Sequence, residues 1–442
     1  MSTLTYRGLW RWHFHAGMLC IPFVIVLALT GSIYLFKPQL DAFADRGVDH
    51  LAVTGHRATG EQQIAAAIAS LPGSKLFVYE VPLAPDAAVR VHLYSPDGTG
   101  RIVFVHPETL AVLKTVAHTA RFTEFVRMVH ANLLVGRPGA LLLELAACWA
   151  IVLLVTGSYL WWPRDGSGLA GALYPRMRAG RRVFWRDLHT VTGIWVSALA
   201  LFLLVTAMPW TTLAGGAIVK LRATVAPAPV DWAIGGDDPH AAHRAAMGSA
   251  VEGSATLATP LTIDQVIARI APLQLDPPVR LYLPNERQAF WRVRSETQNR
   301  PRVRELALDR NTGAVLHEDG FANKSALDQA INVGIAAHEG QLFGLANQLL
   351  GLFTALGLLT LSISALVMWW RRRPGGSVGI PAPRVAEFRI GAPLKIAIVA
   401  LGLLLPMLGL SFVVLWIIDR ASRKFGTGTN SPGTKSAGAD SA

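Results

Sequence analysis

Five apolar stretches decide what this chain can fold into: residues 12–36, 139–162, 188–210, 342–370 and 393–418. A helix needs about 20 apolar residues to cross the hydrocarbon core of a bilayer, and each stretch is long enough. Charged residues make up 16% of the chain, against roughly 25% in a soluble globule. That balance excludes an ordinary water-soluble enzyme, a disordered chain and a collagen-like repeat. The first stretch outruns a signal-peptide core, and no small-residue cleavage site follows it, so it reads as an uncleaved span. The expected class is an integral membrane protein, mainly α, built on a five-helix transmembrane bundle with the lipid bilayer as its solvent.

Arginine placement sets the orientation. Arg7 and Arg11 precede the first span. Arg164, Arg176, Arg178, Arg181, Arg182 and Arg186 fill the link 163–187, and Arg371, Arg372, Arg373, Arg384 and Arg389 fill the link 371–392. Short basic loops stay in the cytoplasm, which places the N-terminus inside. Segments 38–135 and 211–337, and the Gly/Ser-rich tail 419–442, then fall outside. The net charge of +12 is explained by these links, and no nucleic-acid partner is expected.

Both outside segments read as small α+β modules. In the first, residues 61–70 have helical spacing, and 75–81, 88–94 and 101–105 read as strands parted by Pro85 and Pro96-Asp97-Gly98. The second repeats the order, with a helix at 262–270 and strands at 279–283, 289–294 and 303–308. Val112-Leu113 and Val315-Leu316 close the two modules alike. Residues 224–258, rich in Ala, Gly and Pro, read as a lead-in to the second.

The chain is therefore an internal duplication of span, outside module and span, with the fifth span left over. Its histidines obey the repeat. Trp10-Arg11-Trp12-His13, followed by Gly17, mirrors Trp185-Arg186-Asp187-Leu188-His189, followed by Gly193. The same offset of 176 carries Thr30 onto Thr206. An offset of 208 carries His130, Leu134 and Gly136 onto His338, Leu342 and Gly344, and Trp161-Trp162 onto Trp369-Trp370.

Topology assigns the levels. His13 and His189 follow anchoring arginines and belong near the cytoplasmic face, whereas His130 and His338 belong at the outer face. Each half thus supplies one imidazole to each level. Two facing histidines can fill both axial positions of a haem iron, so the pattern predicts two b-type, bis-histidine haems, one per membrane face. Gly17 and Gly193, one turn further along, are expected to let a flat porphyrin approach the backbone. His15 competes with His13, but residues two apart on a helix point about 200° apart, and the repeat favours His13. One unbroken helix from His130 to Trp161 would rise about 46 Å, an awkward gap for electron transfer, and Gly136-Arg137-Pro138-Gly139 predicts a break.

Other signals carry less. Cys20 and Cys148 lie in apolar runs, too few for a disulfide framework or a thiolate cluster. The letters Gly166-Ser167-Gly168-Leu169-Ala170-Gly171 fit a dinucleotide fingerprint, but no strand precedes them. There is no Walker A loop, no His-Glu-x-x-His and no Cys-x-x-Cys-His. Arg280, Arg287, Arg292, Arg294, Arg302 and Arg304 read as a solvated strand face.

Three segments resemble the PepSY-associated transmembrane proteins: Trp12-His13-Phe14-His15-Ala16-Gly17 continuing to Thr30-Gly31, Trp185 to His189, and His338-Glu339-Gly340-Gln341-Leu342-Phe343-Gly344. The outside modules resemble PepSY domains in element order. The resemblance implies a bacterial inner-membrane protein with periplasmic modules, often linked to iron uptake. Some members are ferrisiderophore reductases with two haems, which maps the haem ligands onto His13, His189, His130 and His338. The expected function is a transmembrane electron conduit, from a quinol or cytoplasmic reductase to a ferric siderophore in the periplasm, with release of Fe(II). A second reading from another class is a non-redox sensor or peptidase modulator.

Overall fold

The computed structural model describes residues 5–162, 169–225, 260–285, 288–373 and 391–425. Arg164, Gly166, Gly168, Arg287, Arg384 and Arg389, most of the 224–258 stretch and the tail past residue 425 lie outside the described residues. In chain order, α1 (Tyr6–Tyr34), α2 (Lys37–Asp45) and α3 (Gly60–Ser70) precede the strands β1 (Lys75–Glu80), β2 (Val89–Tyr94), β3 (Gly100–Val105) and β4 (Val112–Ala117). The helices α4 (Phe122–Asn132), α5 (Arg137–Trp161), α6 (Arg181–Ala207), α7 (Leu213–Val225) and α8 (Ile263–Ile270) follow. The strands β5 (Val279–Tyr282), β6 (Phe290–Ser295), β7 (Arg304–Asp309) and β8 (Val315–Gly320) lead to α9 (Ala326–His338), α10 (Leu345–Arg372), α11 (Ala392–Leu404) and α12 (Pro406–Phe425).

Helices α1, α5, α6 and α10 are each long and apolar enough to cross a membrane. They close into a ring, because α1 packs against α5 and α10 and α6 packs against the same two. That leaves α1 and α6 diagonally opposed. Lipid supplies no hydrophobic drive between helices, so small residues at the contacts carry the association. Gly357 on α10 is one, since any side chain there would run into Val196 of α6.

The fifth span is not a single rod. Helices α11 and α12 meet at a bend of 109°. Leu405 is extended (φ −107°, ψ 101°), and Pro406 lacks the N–H that would continue the ladder. The 13 residues of α11 rise about 20 Å, short of the roughly 30 Å hydrocarbon core. At the bend, Leu405 and Leu408 are buried with Cys148 and Trp149 of α5.

The segments 38–135 and 211–337 do not form two separate sheets. Their strands join into one eight-stranded antiparallel sheet of order β4-β3-β2-β1-β5-β6-β7-β8. The seam is β1 on β5, where Tyr79 pairs with Leu281 and Glu80 with Arg280. Alternation sends Tyr79, Val91, Val103, Leu281, Val293 and Leu306 to one face, under Ile64 and Ala67 of α3 and Val266 and Ile270 of α8. Burying an aliphatic side chain of this size contributes about 1.5–3 kcal/mol.

Thr59 and Thr262 start α3 and α8 with matching capping boxes. The two helix starts abut, and each is also capped by the other module. Gly60 N–H donates to Asp264 Oδ2 (3.2 Å) and Ile263 N–H to Glu61 Oε1 (2.7 Å). The acids offset two positive helix ends brought together. Glu61→Ala and Asp264→Ala are each expected to cost roughly 1 kcal/mol, measured as a lower midpoint for unfolding of the sheet domain.

The opposite sheet face is polar, and it corrects the expectation of a solvated arginine row. Arg280 pairs with Glu80 (3.4 Å), Arg294 with Glu296 (3.5 Å), and Arg292, which is buried, with Glu305. Arg302 and Arg304 remain at the surface, paired with Asp276 and Glu318. At the centre, His92 Nε2–H donates to Glu80 Oε2 (3.1 Å), and His118 Nε2 lies 3.2 Å from His92 Nδ1. Burial alone would raise the Glu80 carboxyl. The hydrogen bond from His92 and the charges of His92, Arg280 and Arg90 outweigh it and hold Glu80 at about 2. Burial pushes His92 down. Both groups bind fewer protons folded than unfolded, so stability falls as the pH falls. The loss attached to His92 begins below about pH 6.5. That of Glu80 begins below about pH 4.5 and continues as the pH falls further. Hydrogen exchange of the sheet amides across this range is expected to accelerate with acid, and Glu80→Gln to flatten the lower part of the dependence.

Candidate functional site

The four predicted histidines lie on four helices. His13 is in the third turn of α1 and His189 in the third of α6, while His130 and His338 close α4 and α9. Those last two helices are not the spans themselves. Leu133 and Leu134 take positive φ (54° and 62°) and turn the chain before α5 begins. Gly136 and Gly344 then enter α5 and α10 at φ 67° and 59°, ψ −140° and −137°, a region essentially restricted to glycine. The repeat places glycine at both joints for this reason.

Each imidazole is fastened through Nδ1 to a neighbouring span. His13 Nδ1 is 2.9 Å from Thr156 Oγ1 of α5, and His130 Nδ1 is 2.9 Å from Thr30 Oγ1 of α1. In the second half, His189 Nδ1 is 3.1 Å from both Ser364 Oγ and the Leu361 carbonyl of α10, and His338 Nδ1 is 3.1 Å from Thr206 Oγ1 of α6. The hydroxyls follow the histidine repeat: Thr30 corresponds to Thr206, and Thr156 to Ser364. Each half is thus zipped at both ends by one histidine–hydroxyl bond.

The halves meet across the bundle. His13 and His189, on the diagonally opposed α1 and α6, are close enough to act on each other's charge. His130 and His338 stand in the same relation. These are the two pairs the repeat predicts. All four rings are half-buried, and no hydrogen bond to Nε2 of any of them occurs among the described residues. His15 is exposed, and its Nδ1–H donates to the Arg11 carbonyl of its own helix (2.8 Å).

The levels lie closer together than one unbroken helix would put them. His13 and Thr30 are seventeen residues apart on α1, as are His189 and Thr206 on α6, a rise of about 26 Å. The 46 Å figure fails because His130 sits on α4, before the turn.

A model of the PepSY-associated TM region matches residues 10–372. The chain belongs to the PepSY-associated transmembrane family. All four histidines of this PepSY-associated protein, with their hydroxyl partners, fall inside the matched region, and the bent pair α11–α12 falls outside it. No curated protein matches the chain.

Two paired imidazoles per level suit the axial positions of a haem, which needs two protein ligands and no more. Among the described residues no group of three or more His, Cys, Asp or Glu side chains could hold a metal ion. The paired donors, one imidazole from each half, fit pairwise ligation. The glycine expectation needs revising. A Cβ on Gly17 or Gly193 would meet Leu153 (4.0 Å) or Leu361 (3.5 Å) of the adjoining span, because the face shared with His13 or His189 is the one that packs on α5 or α10. Instead, the His130 and His13 rings lie over Gly31 and Gly157, where a Cβ would stand 3.3 and 3.2 Å from Cε1.

Sequence reasoning passed over three features. Thr156 and Ser364 were legible as hydroxyls at the histidine offset. The contacts of Gly31 and Gly157 left no signal in one half alone, since Ala207 and Ala365 stand at the repeat positions. Glu144, an acid inside the second apolar stretch, was legible as a costly buried group. It is almost fully buried and accepts from the N–H groups of Leu213 (2.9 Å) and Ala214 (2.8 Å) at the start of α7.

Proposed function

We propose that the chain is a di-haem reductase of the bacterial inner membrane, carrying electrons across the bilayer to a ferric siderophore in the periplasm, where Fe(II) is released. One observation carries this reading. Imidazoles from opposite halves come together in two pairs, at two depths of the same bundle, with Nε2 unengaged among the described residues. A membrane sensor has no need of that arrangement. Neutral histidine is costly to bury, and four such residues tied to four hydroxyls amount to a prepared donor set.

In this reading His13 and His189 hold the haem of the cytoplasmic level, His130 and His338 that of the periplasmic level. Bound haem would supply one-electron exchange between Fe(III) and Fe(II). The chain's own residues fix and shield. The hydroxyls orient the rings, and the diagonal placing of α1 and α6, which carry His13 and His189 and hold His130 and His338 through Thr30 and Thr206, sets the distance between paired nitrogens. A quinol or cytoplasmic reductase would meet the inner level. The sheet domain, made of two periplasmic PepSY-like modules, would receive the chelate over the outer one. Siderophores bind Fe(III) far better than Fe(II), so one electron suffices to loosen the metal.

The test is an absorption spectrum of the purified, haem-replete protein before and after dithionite, with a pyridine haemochrome count. Two haems per chain, and reoxidation of the reduced form by a ferric hydroxamate, are expected. Haem-replete material without a Soret band would overturn the reading and leave the non-redox sensor or peptidase modulator.

A further inference from the structure

Resting on the di-haem reading, we infer that Thr30, Thr156, Thr206 and Ser364 are positioning residues: they fix each of the four imidazoles in the Nδ1–H tautomer and so reserve Nε2 as the metal-binding nitrogen. A hydroxyl has one hydrogen to give. Thr30 gives it to the Val26 carbonyl (2.6 Å), Thr156 to that of Val152 (2.8 Å), Thr206 to that of Phe202 (2.8 Å) and Ser364 to that of Leu361 (3.0 Å). With its proton committed to its own helix, each oxygen can only accept from the ring beside it. The hydrogen must then sit on Nδ1, and the lone pair on Nε2. At His189 the point is independent of the hydroxyl, because the Leu361 carbonyl, 3.1 Å from Nδ1, cannot donate.

The four sites are not equally secured. The Leu27 and Leu203 carbonyls lie beside the His130 and His338 rings as reserve acceptors, whereas Leu361 is bonded to His189 outright. For His13, Thr156 is the acceptor, and no carbonyl stands in reserve among the described residues. An acceptor on the remote ring N–H raises the basicity of the ligating nitrogen and favours Fe(III). Loss of the hydroxyl therefore weakens the ligand and raises the reduction potential of that level alone.

The experiment uses the full-length protein in nanodiscs, with Thr30→Val, Thr156→Val, Thr206→Val and Ser364→Ala, and Thr156→Ser as the conservative control. The haem-free forms are labelled with 15N-histidine to read the tautomers, and the haem-loaded forms are titrated potentiometrically. Wild type is expected to show four rings protonated at Nδ1. Each variant should raise one of two midpoint potentials and leave the other in place, Thr156→Val most and Ser364→Ala least, with Thr156→Ser restored to wild type. Nε2–H tautomers in the haem-free wild type would overturn the inference, as would potentials indifferent to all four substitutions in proteins that hold both haems. A wild type that binds no haem under any loading would instead sink the reductase reading, while its 15N spectrum would still decide the tautomers.

Discussion

Alanine at His13 or His189 is expected to remove one of two haems and spare the other, and alanine at His130 or His338 to do the same at the opposite level. The expectation follows from pairing across the halves. Each iron would take one ligand from each half, so a single substitution leaves a lone imidazole at that level and a complete pair about 26 Å away along α1. The haemochrome count should drop to about half in each single variant. It should stay there in the doubles His13→Ala/His189→Ala and His130→Ala/His338→Ala, and fall to none in His13→Ala/His130→Ala. The doubles are the discriminating measurement. If each half held its own haem, His13→Ala/His130→Ala would keep one, and the cross-bundle pairing would be wrong. His15→Ala should change nothing in the spectrum, because that ring is exposed on its own helix.

The largest effect on stability is expected at Glu144. Its carboxylate satisfies two backbone donors where α7 begins, inside the apolar cluster that also holds Met208, Ala214 and Leu408. Water is scarce there, and an unmade bond at an apolar depth is not replaced. Leaving two donors unpaired costs about 1–3 kcal/mol each, so Glu144→Leu should lose roughly 2–6 kcal/mol against wild type in detergent melts. Glu144→Gln keeps a carbonyl oxygen that can still accept, and should recover much of the loss. Trypsin cleavage at Lys220, on the exposed side of α7, reports the same event locally: it should quicken in the leucine variant and not in the glutamine one. Equal melting of Glu144→Leu and wild type would mean that α7 is held by its apolar contacts alone.

How far these features could be read in advance differs by kind of interaction. The spans, the strands and the four histidines were legible because hydrophobic length, period-two alternation and a fixed offset are properties of the chain itself. Helix α7 was not foreseen, since its 13 residues are too short to span and follow the third apolar stretch without a break. The bend at Leu405-Pro406 was visible as a proline inside an apolar run, yet composition alone favours a continuous helix there. The joining of the two modules into one sheet could not be read, because the β1–β5 register depends on residues 200 apart. The polar sheet face was misread for the same reason: Arg280 meets its partner Glu80 only once that seam has formed.

The seam itself has a mechanical meaning. Two paired residues and the bond from Val81 N–H to the Val279 carbonyl join the halves there, whereas β2 and β3 share six paired positions. It is the sparsest stretch of backbone pairing in the sheet, and the reciprocal caps at Asp264 and Glu61 and the shared apolar core reinforce it. A small pivot about it would act through the length of the spans as through a lever, displacing the imidazoles of His13 and His189 further than those of His130 and His338. Anything that grips the sheet on both sides of that line would therefore tune the geometry at the far end of the bundle.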